Sequence, residues 1–363
     1  MGPAPPFRGG ITQFALMLAR EYRSQGHEVA MFTFTSQYPK LLFPGGEQTT
    51  EFADLPEVEV ERIFTPYLPW TWNKAAKKIA DWKPDVVIVS YFLPWFAPSY
   101  GWICRKLKNT RIVYLAHNID FHEKWPGADL LSRWAFEPAR RIAVLSRSCL
   151  DDLKRKMPNR IAVRGVLGFH PLYDCYAGEG DPYPEQQAAG PTVLFFGLIK
   201  PYKGLDVLIK ALALARREIP ELKLLVAGEV YGPVEPYQKL IRELGLADAV
   251  EAHYRYVPDI EIGSFFRRSQ VCVLPYKSAT QSGVIATAYS FNLPVIASNV
   301  GGLSEYIEPR ETGLLAAPDD ETALAECLAR YFREGLFDQF SRKIPAYKSR
   351  FSWNKLAELL VRE

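Results

Sequence analysis

What this chain lacks narrows it first. Five cysteines stand in 363 residues, at Cys104, Cys149, Cys175, Cys272 and Cys327. They are odd in number, widely spaced and never paired as CxxC. That argues against a zinc site and a disulfide framework, and favours a reducing compartment. The amino end carries no basic-then-apolar leader, and no uninterrupted apolar run reaches bilayer length. The expected location is cytoplasmic. There is no HExxH and no DxD run with a following acidic cluster, so no catalytic metal and no cofactor are expected. A GxSxG elbow and a Walker lysine are also missing, which sets aside hydrolase and P-loop readings. Charge of one sign is scarce: 44 Lys and Arg against 41 Asp and Glu leave a net charge of +3. A nucleic-acid partner needs a stronger basic stripe, and none is expected.

What is present is length and alternation. A chain of 363 residues is too long for one ordinary core and suits two domains. Hydrophobic residues make up 48%, with 8 Trp, 19 Tyr and 21 Phe; such aromatics serve a core, sugar stacking or a membrane-facing surface. After the Pro/Gly stretch MGPAPPFRGG, apolar residues at helical spacing predict a helix from about Ile11 to Gln25, stopped by Gly26. HEVAMFTF, VERIFT, DVVIVSYF, RIVYLAH, RIAVLS and RIAVRG read as strands with helical stretches between. Residues 171–190 carry Pro, Gly and acids without periodicity and read as a linker. Alternation then restarts with TVLFFG and runs to a helical, amphipathic segment at 340–363. This pattern predicts an α/β fold with two doubly wound parallel sheets, one over residues 1–170 and one over 191–339. One strand is short of the pattern. The helix at Ile11 follows a loop, where a doubly wound domain begins with a strand.

Several segments can carry chemistry. Gly9 and Gly10 open the first helix, where close backbone approach and free N–H groups suit a phosphate; a plain tight turn is the alternative. Strand VCVLPY runs into KSATQSG and a helix near Ser282. There the amides of Ser282 and Gly283, with the Gln281 and Ser282 side chains, suit a diphosphate; a simple N-cap serine is the alternative. Lys200 and Lys203 follow TVLFFG at the carboxyl edge of a parallel sheet, where such folds bind ligands. Cations there would stabilise a departing phosphate. His117 ends RIVYLAH in the same kind of position, as a catalytic or a structural histidine.

These segments together resemble glycosyltransferase family 4. The resemblance runs from FFGLIKPYKGLDVLIKA through LPYKSATQSGVIATAYSFNLPVIASNVGGLSEYI to GLLAAPDD. It implies the GT-B fold: two Rossmann-like domains facing a central cleft, with residues 340–363 as a helix crossing back to the first. It implies a retaining transfer from a UDP- or GDP-type sugar donor, held mainly by the second domain, to an acceptor on the first. By the same resemblance Gly9 and Gly10 approach the donor phosphate, His117 lies near the transferred sugar, and Lys203 holds the diphosphate with Lys200 as second cation. Tyr256 and Val257 fall where the base is read, and Glu305 follows the VGG-x-x-E ending. The family's paired glutamates are replaced by Ala279 and Thr287, with Gln281 a partial substitute. The SATQSG variant is similar to enzymes of bacterial surface polysaccharide assembly, so a sugar or lipid-linked acceptor is expected. Peripheral membrane contact through the aromatic and basic stretch from Thr65 is a further expectation, against a helix simply packed on the sheet. Loss of the glutamates also leaves open a non-catalytic, nucleotide-sugar-binding partner subunit. A sugar-nucleotide epimerase would need more acid and base groups than His117.

Overall fold

The computed structural model describes residues 1–39, 48–49, 58–121, 126–173 and 190–362. Most of the linker expected over 171–190, and Cys175, lie outside them. The chain divides into two compact units, Met1–His170 with Trp353–Glu363, and Pro171–Ser352.

Unit 1 holds β1 (Ala30–Phe34), β2 (Glu59–Phe64), β3 (Val86–Tyr91), β4 (Arg111–Ala116), β5 (Arg141–Val144) and β6 (Gly165–Leu167). Every pairing is parallel, and the strands fall into two sheets, β1-β2 and β3-β4-β5-β6. Met1 and Gly2 lie between them. The Met1 ammonium donates to the Ile88 carbonyl at 2.7 Å. The Ser90 amide donates to the Met1 carbonyl at 3.0 Å, and the Gly2 amide donates to the Phe32 carbonyl at 3.1 Å. The expected strand at RIAVRG is instead a helical turn, Asn159–Ala162, followed by β6. Pro158 opens that turn, and Ile161 is fully buried in it. A short apolar run does not distinguish a strand from a buried turn.

The continuous apolar reading of β3 and β4 fits their place. Val89, Tyr91, Val113, Tyr114, Leu115 and Ala116 are all shut from water, as strands covered on both faces must be. Phe34, Phe64, Phe96 and Tyr100 stack and cross in one aromatic cluster at ring separations of 5.1 to 6.3 Å. The Trp70–Trp82 helix buries Ala75, Ala76 and Ile79 against this core. Lys83 in the left-handed conformation ends it, just before Pro84.

Unit 2 holds β7 (Thr192–Phe196), β8 (Lys223–Ala227), β9 (Val250–His253), β10 (Val271–Leu274), β11 (Val295–Ser298) and β12 (Gly313–Ala316). They form one parallel sheet in the order β12-β11-β10-β7-β8-β9. The chain runs outward from β7 in one direction through β8 and β9. It then returns to β10 on the other side of β7. The point between β7 and β10 is therefore the topological switch, where doubly wound sheets bind ligands. The Leu205–Ala215 and Glu321–Arg333 helices cover the sheet with Leu208, Leu212 and Leu328, each fully buried and worth about 1.5–3 kcal/mol. Asp320 starts the latter helix, its carboxylate accepting from the Thr322 and Ala323 amides at 3.0 and 2.9 Å.

The single helix expected over 340–363 is two. Leu336–Lys348 belongs to unit 2, and Trp353–Val361 to unit 1. The first ends at Lys348, followed by Ser349, whose hydroxyl donates to the Ala346 carbonyl at 2.9 Å. In unit 1, the final helix lies along the Gly10–Ser24 helix, where Tyr22 donates to the Ala357 carbonyl at 2.9 Å.

Gly204 makes a close backbone contact behind the switch point. Its φ is +69°, and a Cβ there would stand 2.0 Å from the Pro275 carbonyl oxygen. Gly204→Ala is expected to destabilise unit 2 by more than about 2 kcal/mol, read as a lowered urea midpoint.

Candidate active site

In unit 2 two loops border the switch point. After β7 the chain passes through Gly197, at φ +98°, to Lys200, the short turn Pro201–Lys203 and Gly204. After β10 it passes through Pro275, Tyr276 and Lys277 to Ser282, which caps the Gly283–Ser290 helix. The Lys277 amide donates to the Tyr202 carbonyl at 2.8 Å and ties one loop to the other.

Three side chains then line up. The Lys203 ammonium donates to the Tyr276 hydroxyl oxygen at 2.9 Å. The Tyr276 hydroxyl lies 3.4 Å from the Ser282 hydroxyl, and either of the two can donate to the other. Ser282 accepts in turn from the Val284 amide at 3.3 Å. Tyr276 is buried, with 3% of its surface exposed. Burial lowers the pKa of Lys203, and nearby Lys200 adds to the effect. Lys277 has a different role. Its ammonium is taken by Asp206 and Asp319, each at 3.0 Å, so it fastens the loops. Lys203 has no carboxylate partner among the described residues, and its charge remains available to an anion.

The neighbouring atoms are also set for a polar ligand. The Gln281 carbonyl oxygen is buried and has no hydrogen-bond partner among the described residues. The Gly283 amide heads its helix at the positive end of the dipole. Gly301, at φ +47°, lies against the loop: a Cβ there would meet the Ala279 carbonyl oxygen at 1.7 Å. Glu305 follows in the short helix Gly301–Tyr306, half-buried. Thr287 is buried one turn into its helix, its hydroxyl donating to the Gly283 carbonyl at 3.0 Å. Tyr256 and Val257 follow β9, and Val257 is buried.

In unit 1 the Gly9–Gly10 turn starts the Gly10–Ser24 helix. Gly9 has φ +115°, its carbonyl accepts from the Thr12 and Gln13 amides, and a Cβ at either glycine would meet open space. One turn further, Phe14 sets its ring edge-on to His117, to His170 and to Trp353, at 5.0, 5.0 and 4.9 Å. His117 follows β4, its amide donating to the Tyr91 carbonyl at 2.7 Å. It is 2% exposed, and its Nε2 has no hydrogen-bond partner among the described residues. Burial, then the neighbouring His170, lowers its pKa to about 3, so the ring is neutral at ordinary pH. Sequence reasoning brought out His117 and missed Tyr276, Phe14 and His170. Tyr276 stood in the quoted LPYKSATQSG segment, but a lone tyrosine at a strand end gives no separate signal.

Comparison with known proteins shows the family. Two family profiles match: Glycosyltransferase Family 4 over residues 8–164, and Glycosyl transferases group 1 over residues 190–334. Between them they take in most of the chain, which is a family 4 type glycosyltransferase of the GT-B fold. Among its relatives is the D-inositol 3-phosphate glycosyltransferase of Acidothermus cellulolyticus, 26% identical over 96% of this chain and 84% of that protein. The protein of the same name from Streptomyces scabiei is 30% identical over 62% of this chain and 48% of its own. In fold the chain is similar to Anabaena HepE in complex with UDP-glucose. The TM-score is 0.76, with 16% identity over 99% of this chain and 96% of that one. Sucrose-phosphate synthase from Thermosynechococcus elongatus superposes with a TM-score of 0.69, at 22% identity over 97% and 92% of the two chains.

The buried neutral His117 has a consequence for stability. An unfolded imidazole titrates near 6.5 and the folded one near 3, so between these values the unfolded chain binds more protons. Stability is full above about pH 6.5 and falls as the pH drops toward 3, by up to about 1.4 kcal/mol per unit from this group. His117→Gln is expected to flatten that part of the pH profile of urea unfolding. An unchanged slope would show that the ring is not held neutral.

Proposed function

We propose that the chain transfers a sugar from a nucleotide diphosphate of the UDP or GDP type to a sugar or lipid-linked acceptor, with retention and without a metal. The observation that carries this reading is the Lys203–Tyr276–Ser282 line at the switch point of unit 2. A cation with no carboxylate partner and an amide oxygen with no hydrogen-bond partner among the described residues, together with a helix N-terminus, suit a diphosphate next to a polar sugar. The relatives named as glycosyltransferases and the UDP-glucose bound to HepE support the same class of donor.

The chemistry proposed is a front-face displacement. The acceptor oxygen forms a bond to the anomeric carbon while the bond to the donor phosphate oxygen breaks on the same face. The acceptor proton passes to that departing oxygen. Negative charge grows on the diphosphate, and Lys203, with Lys200 and the Gly283 amide, stabilises it. Lys200 stands with its ammonium 5.4 Å from the Tyr231 ring. In unit 1 the neutral His117 serves as a hydrogen-bonding group for a sugar hydroxyl, and the Gly9–Gly10 turn gives a phosphate close backbone approach. Thr287, bonded back to its own helix, and Ala279 leave fewer sugar and ribose contacts, so Gln281 and Glu305 carry more of the recognition.

The same proposal places the work in bacterial surface polysaccharide or glycolipid assembly, on the cytoplasmic side. Trp70 is 74% exposed at the start of its helix, and it is the residue best placed for peripheral contact with a membrane holding a lipid-linked acceptor. The lysines behind it are less available, since Lys77 pairs with Asp81 and Lys78 with Glu61.

Two measurements test the reading. Lys203→Ala is expected to cut turnover by roughly a hundredfold, and Tyr276→Phe by about tenfold, with the fold retained. Near-normal turnover in Lys203→Ala would remove the lysine from the mechanism. A thermal-shift screen of UDP, GDP, ADP and their sugar conjugates is expected to show one nucleotide raising Tm, equally with and without EDTA. A shift abolished by EDTA would overturn metal independence. Binding without turnover, across acceptors, would point to the partner-subunit alternative.

A further inference from the structure

Exposed aromatics and positive charge gather on one set of helices in unit 1. The Ala97–Lys106 helix joins β3 to β4, and the Ala128–Phe136 helix joins β4 to β5. Both crossovers run in the same direction along the sheet, which puts both helices on one face of it. The Trp70–Trp82 helix continues that face, since the Trp102 indole N–H donates to the Asn73 side-chain oxygen at 3.0 Å. Each helix turns a tryptophan outward. Trp70, Trp102 and Trp134 are 74%, 38% and 40% exposed, and Leu130, one turn before Trp134, is 67% exposed. Apolar residues scattered singly on a surface are ordinary, but a row of them on adjoining helices marks a contact surface.

Two of these rings are fixed in place. Gly101 leaves its helix bare under Trp134: a Cβ there would meet the indole nitrogen at 2.5 Å. The Arg105 guanidinium stacks over the Trp134 ring at 3.6 Å and donates to the Gly101 and Trp134 carbonyls, each at 2.7 Å. The Trp134 indole N–H donates to the Pro98 carbonyl at 3.5 Å. Trp102 is tied to Asn73, and the Lys106 ammonium stands 5.4 Å from its ring. Both indole N–H groups are therefore satisfied within the protein. Burying these rings in an apolar phase strands no donor, which removes the main cost of taking a tryptophan out of water. The rings are held already, so little side-chain freedom is lost on contact.

Charge names the partner. Within the three helices six lysines and arginines stand against two acids, Asp81 and Asp129. That excess is larger than the +3 of the whole chain. Lys74, Lys106 and Arg133 are exposed, and none has a carboxylate partner among the described residues. We propose that this face docks unit 1 on an anionic lipid surface, with Trp70, Trp102, Trp134 and Leu130 entering the interface and Lys74, Lys106 and Arg133 set over headgroup phosphates. The same excess of positive charge repels a second copy of the chain. Docking needs no catalysis. Its consequence rests on the transferase reading: of the two acceptor classes proposed, it selects the lipid-linked one.

The test is co-sedimentation of the full chain with vesicles of equal parts phosphatidylglycerol and phosphatidylcholine, against phosphatidylcholine alone. Binding is expected to the anionic vesicles, weakened about tenfold or more in Lys106→Gln/Arg133→Gln. The pair Lys239→Gln/Arg242→Gln removes the same charge from the Glu235–Glu243 helix of unit 2 and is expected to bind as the parent does. Brominated phosphatidylglycerol is expected to quench the tryptophan emission, and Trp102→Phe/Trp134→Phe to lose part of that quenching. No binding, equal binding to the two vesicle types, equal loss in the two charge pairs or unchanged quenching would each overturn the proposal. So would a mass that grows with protein concentration in the absence of lipid and that Leu130→Ser abolishes, since the face would then belong to a second copy. The Tm shift given by a nucleotide is expected to be equal in all these variants, so docking and the transferase reading stand or fall separately.

Discussion

Gly204 packs its α-carbon onto the Pro275 carbonyl so closely that no side chain fits between them. The candidate site of unit 2 depends on this contact. It brings the loop after β7 onto the loop after β10, and these two strands are neighbours only because the chain reverses direction between them. With the loops joined, Lys203 reaches Tyr276, and Tyr276 reaches the residue that caps the Gly283–Ser290 helix. A lysine 73 positions away in sequence becomes a hydrogen-bond partner. The cost of bringing them together falls on glycine, which alone takes a positive φ there without a steric penalty.

Charge is handled by sorting partners. Lys277 lies one residue beyond Tyr276, yet its ammonium goes to Asp206 and Asp319 and holds the loops in place. Lys203 donates to a neutral hydroxyl, which orients the ammonium without cancelling it. In unit 1 the polar group follows the opposite rule. His117 is buried beside Phe14 and His170, so charge is excluded and a neutral ring remains. One unit presents a positive charge and the other a neutral donor or acceptor.

The alternation of apolar runs with amphipathic stretches was legible as two doubly wound sheets, because parallel strands buried on both faces read as near-continuous apolar segments. The reading failed where a run was short. RIAVRG had the composition of a strand and formed a helical turn ahead of β6. The segment 340–363 had helical periodicity throughout but forms two helices, one ending at Lys348 and one starting at Trp353. That Met1 and Gly2 pair with β3 and β1 was not legible in the sequence.

By itself the sequence determined the fold class, the family and the positions of the glycine turns, lysines and histidine, since each is a matter of spacing along the chain. Only the tertiary structure decided which of these groups keep their chemistry. Lys203 was separated from Lys277, and His117 was made neutral, by neighbours far away in sequence. Tyr276, unremarkable as a letter, became the link between two loops. Burial and partner choice depend on what the fold brings alongside, and no local pattern of residues encodes that.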